Sequence, residues 1–389
     1  MVAMPDNMAR LRWSARLAVL LSCSALAVIS VRAQSREAVA GITATGSVLE
    51  AGASGEEIYQ AACVTCHGAD GRGAPRTSVG FDTALPDFTD CPFATAEADV
   101  DWMAVVHKGG RVRGLSRRMP AFGDALTLNQ IAAVVGYIRR FCVDKTWPRG
   151  DLNFPRAFFT EKAFPENEAV LTNTASTHRD FVGNELVYER RLGTRNQLEA
   201  VIPVDLTRSG EGWQMGLGDV AFAARRTVLA SLGTGTVAAV GGEVAFPTGN
   251  PEHGLGAGYH VFEPFAMFGQ ALPRGSFVQF HAGLEIPSDS RKGVTEAYAR
   301  TAIGVTRLAD RGFGRSWSPQ VELLWKRPAG SESEWDVVPQ LQISLSKIQH
   351  VMLAVGVRAP LHPAGDRGNA VLSYVLWDWF DGPFTKYWK

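Results

Sequence analysis

Phe277-Val278-Gln279-Phe280-His281-Ala282-Gly283-Leu284-Glu285-Ile286 is a run of alternation. Val278, Phe280, Ala282, Leu284 and Ile286 share one face, and Gln279, His281 and Glu285 share the other. Period 2 is the repeat of a β-strand, whose side chains point to opposite faces in turn. The pattern recurs downstream. Trp335 to Leu345 sets Trp335, Val337, Pro339, Leu341, Ile343 and Leu345 against Asp336, Val338, Gln340, Gln342 and Ser344. Val351, Leu353, Val355 and Val357 alternate with His350, Met352, Ala354, Gly356 and Arg358. Segments of about ten residues with this period suit a membrane-spanning β-strand, which turns one face to lipid and the other to a lumen. A soluble β-sandwich alternates as well, usually in shorter strands. Pro339 has no N–H to donate, so it is expected at a bulge or a strand edge.

Working outward, strands are expected near 185–193, 197–205, 217–230, 234–246, 259–269, 276–286, 296–306, 316–326, 335–345, 349–359 and 370–380. Glu168-Ala169-Val170-Leu171-Thr172-Asn173-Thr174-Ala175 supplies a first strand and brings the number to twelve, an even count as single-chain bacterial barrels have. The links mostly alternate in length. Those at 231–233, 271–275 and 346–348 are short, and those at 247–258, 287–295, 327–334 and 361–369 are longer. Outer-membrane barrels have short periplasmic turns and long outer loops, which puts both barrel ends on the periplasmic side. The link Arg307 to Arg315 falls on the short side and is long, against the scheme. Trp377, Trp379, Phe380, Phe384, Tyr387 and Trp388 near the C-terminus suit an interfacial aromatic girdle.

Upstream the chain changes character. Pro148, Pro155 and Pro165 interrupt residues 143–167, no period survives, and a linker is expected. Before it stands Cys63-Val64-Thr65-Cys66-His67, the C-x-x-C-H attachment signature of a c-type haem. Two thiols at that spacing can each form a thioether to one vinyl group, and the next imidazole lies under the iron. The alternative is a structural thiol pair or half a zinc site, and no second C-x-x-C exists to complete a zinc cluster. Ser54-Gly55-Glu56-Glu57 reads as a capping box opening a helix, and Thr127-Leu128-Asn129-Gln130 as a second. The helix after Thr127 carries Ile131, Val134, Val135 and Ile138 on one face. His67-Gly68-Ala69-Asp70-Gly71-Arg72-Gly73 is a glycine-rich turn that lets backbone pass close to a flat group. Met119-Pro120-Ala121-Phe122-Gly123 offers a thioether in a tight loop, suited to a sixth iron ligand.

On these elements, residues 54–142 resemble a small mono-haem cytochrome c of the His/Met class. The resemblance implies an all-α domain whose first and last helices cross, with one covalent haem c on Cys63 and Cys66. It implies His67 and Met119 as axial ligands, with Met103 and His107 as rivals for the sixth site. It also implies a proline carbonyl orienting His67, for which Pro75 and Pro86 are candidates and Pro86 is preferred. Gly216-Leu217-Gly218-Asp219-Val220 and Phe246-Pro247-Thr248-Gly249 resemble segments of outer-membrane barrels related to the phenol-degradation transporters. That likeness implies a barrel and names no substrate.

The remaining features fit this frame. The 389 residues allow two domains, and 39 basic against 39 acidic residues give no global field toward nucleic acid. Residues 1–33 read as a secretory signal, with Arg10, Arg12 and Arg16 ahead of an apolar run and Val31-Arg32-Ala33 as cleavage site. Leu20-Leu21-Ser22-Cys23 resembles a lipoprotein box, but the apolar run before Cys23 is short and a signal-peptide cysteine is expected. An uncleaved anchor is a third reading. Cys91 and Cys142 are left over in an oxidising compartment and are expected to pair, the alternative being two buried thiols. Lys108, Arg111, Arg113, Arg117 and Arg118 form a basic loop leading into Met119. It suits an acidic redox partner or haem propionates, or is simply solvated.

The expectation is therefore multidomain. Signal peptide 1–33 and linker 34–53 precede an all-α cytochrome c domain at 54–142, linker 143–167, and an antiparallel outer-membrane barrel of about twelve strands at 168–389. The expected activity is one-electron transfer by a haem c domain in the periplasm, tethered by the barrel, an electron carrier rather than an enzyme, either as a redox-linked porin or as part of an outer-membrane electron conduit. Its expected partners are a periplasmic redox protein, outer-membrane lipid and a small solute in the barrel, with no nucleic acid. The alternative is a soluble periplasmic redox-enzyme subunit whose β-sandwich binds substrate. Scattered His260, His281 and His350 would be its candidate ligands.

Overall fold

The computed structural model describes residues 52–80, 84–178, 180–209, 212–363 and 367–378. The signal segment, Cys23, most of the expected linker at 34–53, and Trp379, Phe380, Phe384, Tyr387 and Trp388 lie outside the described residues.

The N-terminal domain is helical: α1 (Gly55–Ala62), α2 (Val64–His67), α3 (Arg76–Val79), α4 (Cys91–Ala96), α5 (Asp99–Lys108) and α6 (Leu128–Ile138). Both capping boxes form. Ser54 accepts from Glu57 N while Glu57 reaches back, and Thr127 and Gln130 do the same. The first and last long helices cross as expected, and Gly55 is the reason they approach so closely: a Cβ there would strike the Ala133 carbonyl. Ile58 and Tyr59 of α1 and Ile131, Val134, Val135 and Ile138 of α6 form the core. Cys91 and Cys142 are joined as a disulfide, closing the domain from α4 to its end. Closing a loop of 51 residues contributes about 4 kcal/mol in the chain-entropy model.

The C-terminal domain is one closed antiparallel sheet. Its strands are β1 (Glu168–Ser176), β2 (Phe181–Leu192), β3 (Asn196–Ser209), β4 (Gly212–Leu217), β5 (Ala221–Ser231), β6 (Thr236–Ala245), β7 (Val261–Ala271), β8 (Ser276–Pro287), β9 (Glu296–Val305), β10 (Arg307–Leu308), β11 (Ser316–Pro328), β12 (Glu334–Ser344), β13 (Val351–His362) and β14 (Ala370–Asp378). β4 and β5 both pair with β3, β4 along Val204–Ser209 and β5 along Asn196–Val201, so they form one stave interrupted at Gly218–Val220. β10 is a two-residue extension beside β11. Twelve staves result, closed by the β1–β14 seam, Glu168↔Asp378 to Ser176↔Ala370. Pro339 pairs with Val321 on the β11 side and lies in the gap of the β12–β13 ladder between Val337↔Ala359 and Gln340↔Gly356. Its missing donor therefore breaks no bond.

The two faces of the sheet settle barrel against sandwich. Outward positions are large and apolar: Phe222 is 56% exposed and Ile303 57%, with Leu198, Val240, Leu323, Val355 and Val375 also open. Inward positions are polar and covered: Glu189 and Glu322 are 0% exposed, and Gln197, Gln279, Gln320, Gln340 and Gln342 are buried. A water-soluble domain has the opposite polarity. An outer-membrane barrel has this one, because its exterior meets lipid. The sandwich alternative is thereby excluded.

Residues 143–167 connect the domains, but they are not a solvated linker. Gly150 and Asp151 still lie against the helical domain, and from Leu152 to Asn167 the chain runs into the lumen and is gripped there. Glu322 accepts from the backbone N–H groups of Phe158 (2.9 Å), Phe159 (3.1 Å) and Thr160 (2.7 Å), from the Thr160 hydroxyl (2.8 Å) and from Gln340 (2.6 Å). Arg156 pairs with Glu168 (2.9 Å) and Glu189 (2.6 Å), and Lys162 with Glu166 and Glu168. Phe154 stacks on Phe277 with ring centroids 5.6 Å apart. The buried inward charges of the strands are thus paired with a plug.

Candidate haem site

Cys63, Cys66 and His67 come together on one turn. Cys66 N and His67 N both donate to Cys63 O, at 3.2 and 2.9 Å. The turn is held from behind: Tyr59 donates to Gly68 O (2.7 Å), Ala74 N to Cys66 O (2.8 Å) and Gly73 N to His67 O (2.9 Å). Gly68, Gly71 and Gly73 have φ of 74°, 75° and 84°, which only glycine adopts freely, and so the chain doubles back under His67.

The residues at this turn fit a covalent haem. Cys63 and Cys66 are free thiols, whereas Cys91 and Cys142 of the same domain are bonded. Burial pushes the Cys63 thiol up to about 11, so it is uncharged in an apolar setting. His67 Nδ1 is buried with no hydrogen-bond partner among the described residues, and burial holds the ring below the ordinary imidazole value, hence neutral. The expected carbonyl partner is therefore not engaged, whether Pro75 or Pro86. The ring is set by Phe88, stacked at 4.9 Å and 26°. Cys63, Val64, Phe93, Trp102, Met103, Met119 and Phe122 line the domain core as half-covered apolar side chains, a surface a flat apolar group would close.

Met119 and its rivals are placed differently. Met119 and Met103 both pack on the same core as Cys63, Met119 from a loop and Met103 from α5. The His107 ring is committed elsewhere: it stacks on Phe313 of the barrel at 4.2 Å and 21°. The basic loop also divides. Arg111 and Arg117 are exposed, whereas Arg113 is buried, paired with Asp101 (2.8 Å) and donating to Phe313 O (2.6 Å).

Sequence reasoning missed this interface. Gln349 donates to Asp101 (2.8 Å) and the His350 ring meets Glu97 (2.9 Å). Phe313, Gln349 and His350 lie in the links 306–315 and 345–350, and Arg195, in the link 193–195, donates to Thr146 O (3.0 Å). The helical domain therefore sits at the end of the barrel that carries the short links and both ends of the strand series. The one long link on that side is long because it reaches the helical domain. His350, a candidate ligand in the alternative reading, is an interface residue; His281 is a buried lumen residue bonded to Tyr298 (2.9 Å).

Residues 50–138 match the family described as cytochrome C oxidase, cbb3-type, subunit III. No curated protein matches the chain. Solved structures similar to it include an outer-membrane channel from Pseudomonas putida, at 14% identity and a TM-score of 0.42, covering 58% of this chain and 100% of that one. The KdgM porin follows at 10% identity and 0.38, over 55% and 99%. Outer membrane phospholipase A from Escherichia coli stands at 10% identity and 0.35, over 59% and 96%. The N-terminal domain is a cytochrome c domain, a class that carries covalent haem c. The chain joins it to a closed twelve-stranded β-barrel of the outer-membrane type.

Proposed function

We propose that this protein is a one-electron carrier with a single haem c, fixed at the outer membrane by its own barrel. Cys63 and Cys66 would tether the haem, and His67 and Met119 would hold its iron. When bound, the haem supplies reversible one-electron chemistry at iron, and thioether ligation raises its potential. The chain does the rest. Burial keeps the His67 ring neutral and able to ligate. A thioether from the Met119 loop would favour electron transfer over substrate activation at the iron. The observation that carries the reading is the turn with two unbonded thiols and a neutral histidine, beside a half-covered apolar core that includes Met119.

The haem domain docks on the short-link end of the barrel, which supports a periplasmic position and a periplasmic redox partner. Arg111 and Arg117, exposed near Met119, suit an acidic partner surface. The plug supports anchorage over solute passage. A small solute entering from the long-loop end meets a cavity of about 1100 Å³ floored by Phe159 of the plug. Met119→Ala tests the ligand set. The oxidised holoprotein should lose its sulfur-to-iron charge-transfer band and its potential should fall. An unchanged spectrum would transfer the role to Met103 or His107.

A further inference from the structure

The C-terminal turn of α5 is held from two sides. On one side it brackets Met119: Val106 O and His107 O accept from Phe122 N (2.9 Å) and Gly123 N (3.0 Å), and Gly110 N donates to Met119 O (3.1 Å). On the other side it meets the barrel link 306–315. The His107 ring lies on Phe313, the Lys108 ammonium stands 5.7 Å from the same ring, and Arg113 holds the Phe313 carbonyl. The link is shaped to present this residue. Asp310 and Arg311, neither a glycine, both adopt positive φ (49° and 58°) just ahead of Phe313. A second barrel link adds to the clamp, since Gln349 bonds the Asp101 carboxylate that pairs with Arg113.

We infer that Phe313, on the barrel, is a positioning residue for the Met119 loop, so that the barrel governs how firmly the sixth ligand is held. The inference rests on Met119 being that ligand. Phe313 is not among the residues packed with Met119 on the domain core. It acts through the His107 stack and the three backbone bonds that link the same turn to the residues around Met119. Loosening the stack frees the loop to swing, and an external ligand then competes more easily for the sixth position.

The test uses full-length holoprotein in detergent, with exogenous imidazole as competitor and the sulfur-to-iron band as second readout. An aromatic stack of this kind corresponds to about two- to tenfold in an equilibrium. Phe313→Ala should raise the apparent imidazole affinity of the ferric protein by that factor and weaken the band. Phe313→Tyr, which keeps the stack, should match wild type. His107→Ala removes the stack from the other side and should give the same increase, with little added in the double variant. Wild-type affinity and band in Phe313→Ala, beside a large change in Met119→Ala, would overturn the positioning role alone. No change in Met119→Ala would remove the ligand assignment, and this inference with it.

Discussion

Replacing Glu322 by Gln isolates the grip of the barrel on its plug. The carboxylate spreads five hydrogen bonds over two oxygens, with Phe158 N and Gln340 on Oε1 and Thr160 N, the Thr160 hydroxyl and the closer bond of Phe159 N on Oε2. Glutamine keeps one acceptor oxygen and turns an NH₂ toward the other set. If its oxygen stays in the Oε1 position, the Thr160 hydroxyl can rotate and accept. Phe159 N keeps a weak contact at 3.3 Å, and Thr160 N is left facing a donor. One buried amide without an acceptor, and one weakened, cost about 2–3 kcal/mol. If that difference falls wholly on the seated plug, its local opening becomes about 30- to 150-fold more frequent. Hydrogen exchange at the amides of residues 158–160 in the detergent-solubilised protein reads this directly, and intermittent conductance should appear in planar bilayers. Wild-type protection at those three amides would show that Glu322 does not hold the plug.

Two further outcomes are expected. Asp101 is raised to about 6, by burial first and then by the Glu97 charge, with Arg113 opposing. The folded state thus binds this proton more tightly than the unfolded one, and stability from this group should rise as pH falls from about 6 toward 4. Asp101→Asn should flatten that part of the pH profile of haem-domain unfolding. For topology, single cysteines at Gly254, Ser290 and Ser331 should react with a membrane-impermeant reagent on intact cells, whereas one at Ser54 should react only after the outer membrane is breached. Labelling at Ser54 on intact cells would put the haem outside.

What was legible in the sequence was local or periodic. The alternation at 277–286 and 335–345 marked both faces of β8 and β12 because a strand repeats every two residues whatever surrounds it. The capping boxes at Ser54 and Thr127 close over four residues, so the sequence contains both partners. C-x-x-C-H is likewise complete within one turn. The plug was not legible, since its partners lie far along the chain: Thr160 meets Glu322, and Phe154 meets Phe277. A signal was nonetheless present. Glu168, Glu189, Glu199, Arg225 and Glu322 fall on inward strand positions, and so many charges facing one lumen call for partners there. Phe154, Phe158, Phe159 and Phe164 are more apolar weight than a solvated linker carries. Arg113 read as part of a basic loop because its partners, Asp101 on α5 and the Phe313 carbonyl on the barrel, lie outside the loop. The excess length of Arg307 to Arg315 conflicts with the short-link pattern, and the docking of Phe313 on the haem domain explains it.

The plug has one more consequence, for assembly. It precedes β1 in the chain, and it is bound to both strands of the closing seam. The Arg156 side chain reaches Glu168 on β1, while its carbonyl accepts from the Tyr374 hydroxyl on β14 at 2.7 Å. β1 and β14 are the first and last strands made, and they meet only when the cylinder is complete. A segment that bridges them from inside acts as a template for the join. Seating the plug is thereby linked to joining the seam, so that the cylinder closes around a segment already in its lumen.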